Sequence, residues 1–229
     1  MILYLHGFAS GPGSTKARAL EERFGRLSVR LVIPDLTPGP DGFERSTPSS
    51  MLAIAEAALA SAPPPHAIIG SSLGGWLAAL AASRNPGVQR LVLLAPAFRL
   101  AERWLDRIPG AELTRWKRDG LEVEHHASGR RRRIGWEFMA DAQQWPAWPR
   151  VEIPTLCLAG TRDDVVPLAD VEHWVRQTPS ARLVVLEDGH ELVDSVDRIF
   201  DQARDFLVLG AGQSLFLDRH ADEGPRRGP

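Results

Sequence analysis

Three residues spread along this chain have types that together perform nucleophilic acyl chemistry. Residues 70–75 read Gly70-Ser71-Ser72-Leu73-Gly74-Gly75. They hold G-x-S-x-G centred on Ser72, after the apolar run Ala67-Ile68-Ile69 and before an alanine-rich run from Trp76 to Ser83. A strand, a sharp turn and a helix in that order lift a serine hydroxyl clear of a sheet. The turn crowds the residues two positions either side of the serine, so both must be small, as Gly70 and Gly74 are. Ser71 is the poorer nucleophile, because the corresponding neighbours are Ile69 and Leu73. The turn also sets the Leu73 N–H at a helix N-terminus, where it can meet a developing oxyanion. A glycine-rich turn also arises without chemistry, so the weight falls on the partners.

A serine hydroxyl is a weak nucleophile near neutral pH. It needs a base within hydrogen-bond reach, and the base needs an acid that holds its tautomer. Asp163 and His190 complete the order Ser-Asp-His along the chain. His190 follows Gly189 just beyond the last predicted strand and precedes a helical run. Asp163 opens D-x-V-V-P with Val165, Val166 and Pro167; its neighbour Asp164 is the competing carboxylate, and Glu187 and Asp188 read as loop residues. His6 belongs to a strand-end turn and is expected to shape it. His66, His125, His126, His173 and His220 are expected at the surface. The second oxyanion donor is expected to be the Phe8 N–H, in the loop after the first strand. Phe8, Trp76, Trp104 and Trp136 are the side chains expected to line an acyl pocket.

These residues need a scaffold that gathers distant loops. Short strand-like runs alternate with helical runs, which predicts a parallel sheet wrapped by helices. The strands are read at 2–5, 30–33, 67–69, 90–94, 155–159 and 182–186. The helices are read at 14–24, 49–61, 73–83, 168–177 and 192–207. Right-handed crossovers put every loop that follows a strand on one rim. His6-Gly7-Phe8, the serine turn, the segment 160–167 and Gly189-His190-Glu191 all fall there.

The segment 97–150 breaks the alternation. It holds Trp104, Trp116, Trp136, Trp145 and Trp148, five of the seven tryptophans, and a partial hairpin pattern around Ser128-Gly129. It reads as a cap inserted into a domain spanning 1–208. The tryptophans either bury that cap or line an acyl pocket. Arg130 to Arg133 read as a solvated hairpin strand, with anion binding as the alternative. Residues 209–229 are polar and rich in Gly, Arg, Asp and Pro, and are expected to be disordered.

At 229 residues, with 44% hydrophobic and 24% charged content, the composition suits one globular domain. A formal net charge of −2 gives no reason to expect nucleic acid or an anionic membrane as partner. Lys16 and Lys117 are the only lysines, which removes most candidate catalytic amines. The single cysteine, Cys157, lies in an apolar strand pattern and reads as a buried hydrophobe. No signal peptide or membrane span is visible, and a cytoplasmic location is expected. No His/Asp/Glu cluster has metal-ligand spacing, and no cofactor is implied. The composition leaves the oligomeric state open.

Ile2-Leu3-Tyr4-Leu5-His6-Gly7-Phe8-Ala9-Ser10, Gly70-Ser71-Ser72-Leu73-Gly74-Gly75-Trp76, Asp163 to Pro167 and Gly189-His190 give the chain a specific resemblance. Over about residues 1–208 it resembles the YqiA/YcfP family of small bacterial α/β-hydrolases. That resemblance implies a reduced α/β-hydrolase fold without the first two antiparallel strands, having about six mainly parallel strands flanked by helices and an inserted cap. It implies hydrolysis of small carboxylic esters or thioesters, with the family's triad falling on Ser72, Asp163 and His190. The tryptophan-rich insertion looks larger than the cap of the smallest members and leaves the acyl-length preference open. The Gly-Ser-Ser-Leu-Gly-Gly-Trp string is also similar to acyl-protein thioesterases. The same triad also serves carbon–carbon bond hydrolysis or perhydrolysis, and a silent hydrolase fold that only binds ligand is a further alternative.

Overall fold

Four consecutive apolar residues form the first strand, β1 (Ile2–Leu5), and all four are buried. A strand buried throughout needs cover on both faces. The computed structural model describes residues 1–209. Residues 210–229, where the disordered tail is expected, lie outside them.

After β1 come α1 (Thr15–Gly25), β2 (Leu31–Val32), the short α2 (Gly42–Arg45), α3 (Pro48–Ala60), β3 (His66–Ser71), α4 (Leu73–Arg84) and β4 (Val88–Leu94). An insert follows, made of α5 (Leu100–Arg107), α6 (Gly110–Asp119), β5 (Leu121–His125), β6 (Arg130–Ile134) and α7 (Trp136–Ala142). The described residues end with β7 (Thr155–Gly160), α8 (Leu168–Arg176), β8 (Ala181–Leu186), α9 (Val196–Arg204) and one π-helical turn at Asp205–Leu209. The main sheet has the order β2-β1-β3-β4-β7-β8, and every pair is parallel.

Side chains of β1 alternate between two cores. Leu3 and Leu5 join the helices α3, α4 and α8, while Ile2 and Tyr4 join α1 and α9. The chain leaves β1 for a helix on one face and leaves β3 for a helix on the other. The strand order reverses between these two neighbours, and such a reversal opens a crevice at the carboxyl ends of the strands. α4 is buried from Leu73 to Ala82 and is accordingly apolar all round. α3 starts where its sequence says it should. Thr47 caps it in a reciprocal box with Ser50, and Pro48 takes a first-turn position that needs no N–H.

The insert is helical as well as hairpin-like. β5 and β6 pair antiparallel, with Glu122 facing Arg133 and Glu124 facing Arg131. Opposite charges across the strands support that register. Helices α2, α5, α6 and α7 are absent from the sequence reading: α2 has only four residues, and in the insert the tryptophans and glycines mask the short periodicity of the other three. The last helix begins at Val196 rather than at 192. Leu192 has φ 50°, and Asp188 takes the Ser195 N–H, so this stretch is spent on a loop.

Candidate active site

The turn after β3 is strained at one residue. Ser72 has φ 53° and ψ −116°, a conformation that costs an L-residue about 1–3 kcal/mol. Its surroundings hold it there. The Ser72 N–H donates to Leu94 O at 2.9 Å, and Ser72 O accepts from Ala97 N–H and Gly75 N–H at 2.9 Å each. A Cβ on Gly70 would collide with Gly74 O and Ala78, and one on Gly74 with the carbonyl oxygens of Leu5 and His6. The two glycines therefore let α4 start directly against β3 and the end of β1. Among the described residues, every non-glycine with positive φ except Ser28 lies in a loop on this rim: Ala9, Ser72, Ala95, Arg99 and Leu192.

Ser72 Oγ lies 2.9 Å from His190 Nε2. On the other side of the ring, Nδ1 lies 2.9 and 3.0 Å from the two carboxylate oxygens of Asp163. Carboxylate contact at Nδ1 places the proton there, which leaves the Nε2 lone pair to accept the Ser72 hydroxyl. The Asp163 side chain is 1% exposed and that of His190 11%. Asp163 Oδ1 also accepts from the N–H groups of Val165 and Val166 at 2.9 and 2.7 Å. Burial pushes the Asp163 carboxyl up. The hydrogen bonds from His190, Val166 and Val165, with the His190 charge, outweigh burial and hold it below the ordinary value.

Asp164 is exposed, and its main-chain carbonyl accepts from Arg107 at 3.0 Å. Asp188 is buried and holds the histidine loop from both ends, accepting from Gly189 N–H at 2.7 Å and Ser195 N–H at 2.9 Å. Lys16, from the first turn of α1, is buried and donates to the main-chain carbonyl and the carboxylate of Glu191. Nothing in its local sequence marks Lys16, because its partner lies 175 positions away.

His6 is buried, with Nδ1 facing Gly7 O at 3.0 Å and Nε2 accepting the Leu36 N–H at 3.2 Å. It ties the loop after β1 to the loop after β2. Gly7 lies beside the Ser72 turn. A Cβ there would sit 3.5 Å from Ser71 O and Ser72 Cβ, an ordinary contact, so this glycine is not demanded by the turn. His66 and His125 are buried rather than at the surface. His125 packs edge-on against Phe43, with centroids 4.6 Å apart, and its Nδ1 meets Ser128 Oγ at 2.9 Å. Cys157 is buried in β7, and burial pushes its thiol up.

A cleft of about 830 Å³ opens over Ser72 and His190. Phe8 and Trp104 line it, packed edge to face with centroids 5.0 Å apart. Its mouth is bordered by the β5–β6 turn, where the Ala127 N–H donates to Ala9 O at 3.3 Å. Trp76 and Trp136 do not line the cleft. Trp76 points into the core, 1% exposed, with its indole N–H on Pro146 O at 3.0 Å. Trp136 packs edge-on against Trp116 with Lys117 over its face. Both serve to hold the insert, as do Trp116 and Trp145, whose indole N–H groups bond Ile134 O and Ser49 Oγ. The arginine run of β6 is engaged in contacts within the insert and its base: Arg133 pairs with Glu44 at 2.9 Å, and Arg132 lies over Phe43.

The parallel sheet and the turn at Ser72 make this chain an α/β-hydrolase, and by its relatives an esterase-type enzyme. It belongs to the Uncharacterised protein family (UPF0227), whose model matches residues 1–208. Pimeloyl-(acyl-carrier protein) methyl ester esterase of Xanthomonas oryzae pv. oryzae (strain MAFF 311018) is 30% identical over 224 residues, covering 82% of this chain and 86% of that protein. The enzyme of the same name from Xylella fastidiosa (strain M23) is 28% identical over 258 residues, covering 97% and 91%. Among solved structures, alpha/beta hydrolase domain-containing protein 10 from mouse superposes with TM-score 0.74 at 22% identity, covering 89% of this chain and 88% of that one. Est1E from Butyrivibrio proteoclasticus with ferulic acid bound superposes with TM-score 0.75 at 20% identity, covering 90% and 86%. These two establish the shared fold. No helix among the described residues is long and apolar enough to cross a membrane.

Proposed function

We propose that this esterase cleaves small carboxylic esters through an acyl-enzyme on Ser72, with His190 as general base and acid and Asp163 as the group that orients it. The observation that carries the reading is the unbroken hydrogen-bonded path from Ser72 Oγ through the His190 ring to Asp163. In the first half-reaction Ser72 Oγ attacks the ester carbonyl and its proton passes to Nε2. The tetrahedral intermediate collapses, the C–O bond to the alcohol breaks, and the departing oxygen takes the proton from Nε2. Water then attacks the acyl-enzyme by the same route and releases the acid and free Ser72. Asp163 stabilises the imidazolium that forms in both halves.

The oxyanion is assigned to the main-chain N–H groups of Leu73 and Phe8. Leu73 is the first residue of α4, so its N–H has no partner within the helix and sits at the positive end of the helix dipole. Phe8 follows Gly7, which packs against Ser72. Each such donor is worth about 3 kcal/mol in the transition state. The Phe8 and Trp104 rings supply apolar walls for an acyl chain. The relatives named for pimeloyl-(acyl-carrier protein) methyl esters favour an oxygen ester with a small alcohol over a thioester.

Ser72→Ala should abolish turnover of p-nitrophenyl butyrate and labelling by a fluorophosphonate. Wild-type turnover in the purified variant rejects the assignment. A series of oxygen and sulfur esters of increasing acyl length separates esterase from thioesterase use.

A further inference from the structure

α5 brings two arginines, one helical turn apart, into the wall of the Ser72 cleft beside Trp104. Arg103 is only 8% exposed. One of its donors reaches Val165 O at 3.1 Å, and its Nε has no partner. Arg107 is exposed and donates to Asp164 O at 3.0 Å. Both guanidinium groups are thus pinned by main-chain carbonyls of the loop that carries Asp163. Neither forms an ion pair with a carboxylate among the described residues.

Two of the nearby acids are committed elsewhere. Asp163 is taken by His190 and two N–H groups. Glu191 is paired with Lys16. Asp170 attracts Arg103 through space without an ion pair to it; its Oδ1 pairs with Arg99 at 3.5 Å, and its Oδ2 is buried without a hydrogen-bond partner. Burial, and then the repulsion from Arg107, press the Arg103 guanidinium below its ordinary value despite the pull of Asp170. A buried guanidinium whose Nε lacks a hydrogen-bond partner is costly, and a bound anion would relieve that cost. The planar fork of donors on each arginine suits an oxyanion that accepts two hydrogen bonds at once.

We propose that Arg103 and Arg107 form an anion subsite, and that the ester cleaved at Ser72 carries an oxyanion at one end. The inference rests on the esterase reading of Ser72 and names the substrate class for that site. Two sources supply such a group: a free carboxylate on the acyl portion, as in the monomethyl ester of a dicarboxylic acid, or a phosphate on the alcohol portion.

The test compares kcat/KM for monomethyl esters of C4–C8 dicarboxylic acids with methyl alkanoates of equal length. A second arm compares acetyl esters of alcohols with and without a phosphate. One arm should show a preference for the charged ester of at least tenfold, and that arm identifies the source. Arg107→Glu should cut the charged-to-neutral ratio at least tenfold, and 0.5 M salt should lower it in the wild type. Arg107 is exposed, so its variant remains informative where Arg103→Met does not fold. The subsite is overturned if neither arm shows a preference, or if the ratio survives Arg107→Glu. In either case, neutral esters still hydrolysed by wild type and not by Ser72→Ala leave the esterase reading intact. Turnover that survives Ser72→Ala defeats that reading instead.

Discussion

Lys16, in the first turn of α1, donates its ammonium protons to the main-chain carbonyl of Glu191, the residue that follows His190. The helix that follows β1 thereby holds the loop that follows β8. The two strands lie far apart in the sheet order, yet their loops meet over Ser72 at the crevice between β1 and β3. The loop carrying the candidate base is fixed on one side by Lys16 and on the other by Asp188.

Lys16→Met should lower kcat on p-nitrophenyl butyrate about tenfold with little loss of stability. Methionine matches the length of the lysine stem, and its arrival removes a desolvated charge, which offsets the lost hydrogen bonds. The rate of fluorophosphonate labelling should fall in step with kcat, while the urea midpoint stays near that of wild type. Unchanged labelling would mean that the His190 loop holds its own position.

Asp163→Asn should reduce kcat/KM by about 10⁴, the scale expected when a catalytic histidine loses the acid that fixes its tautomer. The substitution also has a pH signature in stability. The folded carboxyl titrates below its ordinary value of 3.8, so the folded state binds a proton less readily than the unfolded one. The stabilisation from Asp163 is complete above that value and is lost as pH falls through the lower folded value. Urea titrations of wild type and Asp163→Asn should therefore keep a constant gap above pH 3.8 that narrows on acidification below it. A gap independent of pH contradicts the assigned carboxylate interactions.

Gly74→Ala and Gly7→Ala should behave differently, although both glycines border Ser72. A methyl on Gly74 strikes backbone oxygens of Leu5 and His6, and backbone cannot swing aside as a side chain can. Overpacking of this kind costs about 1–3 kcal/mol or more, and the distortion would fall on the turn that presents Ser72. Activity should be lost. A methyl on Gly7 finds only ordinary contacts at 3.5 Å, so thermal unfolding should shift by no more than a few degrees. Equal melting temperatures for the two variants would refute the packing argument.

Trp104→Ala should change the acyl-length profile, raising KM for longer acyl groups, because the ring lines the cleft against Phe8. Trp136→Ala removes a ring that braces Trp116 away from the cleft, so its effect should appear in stability and leave the acyl-length profile unaltered. Steady-state kinetics across p-nitrophenyl acetate, butyrate and octanoate separate the two. A changed profile for Trp136→Ala would place that ring at the substrate.

The sequence alone determined the features governed by short-range physics. Strands β1, β3 and β7, buried along their whole length, announce themselves by apolar runs, and Gly70 and Gly74 mark the turn because local sterics admit little else there. It also placed Ser72, Asp163 and His190 on one rim, since right-handed crossovers leave a parallel sheet no other arrangement. Only the tertiary structure decided which aromatic rings face the cleft. Trp76, Trp104 and Trp136 carry the same apolar label in the chain, and helix orientation within the insert turns Trp104 alone toward Ser72. It likewise decided the partners of Lys16, Arg103 and Arg107. Charge pairing depends on which distant carboxylates and carbonyls fold within reach, and no local periodicity records that.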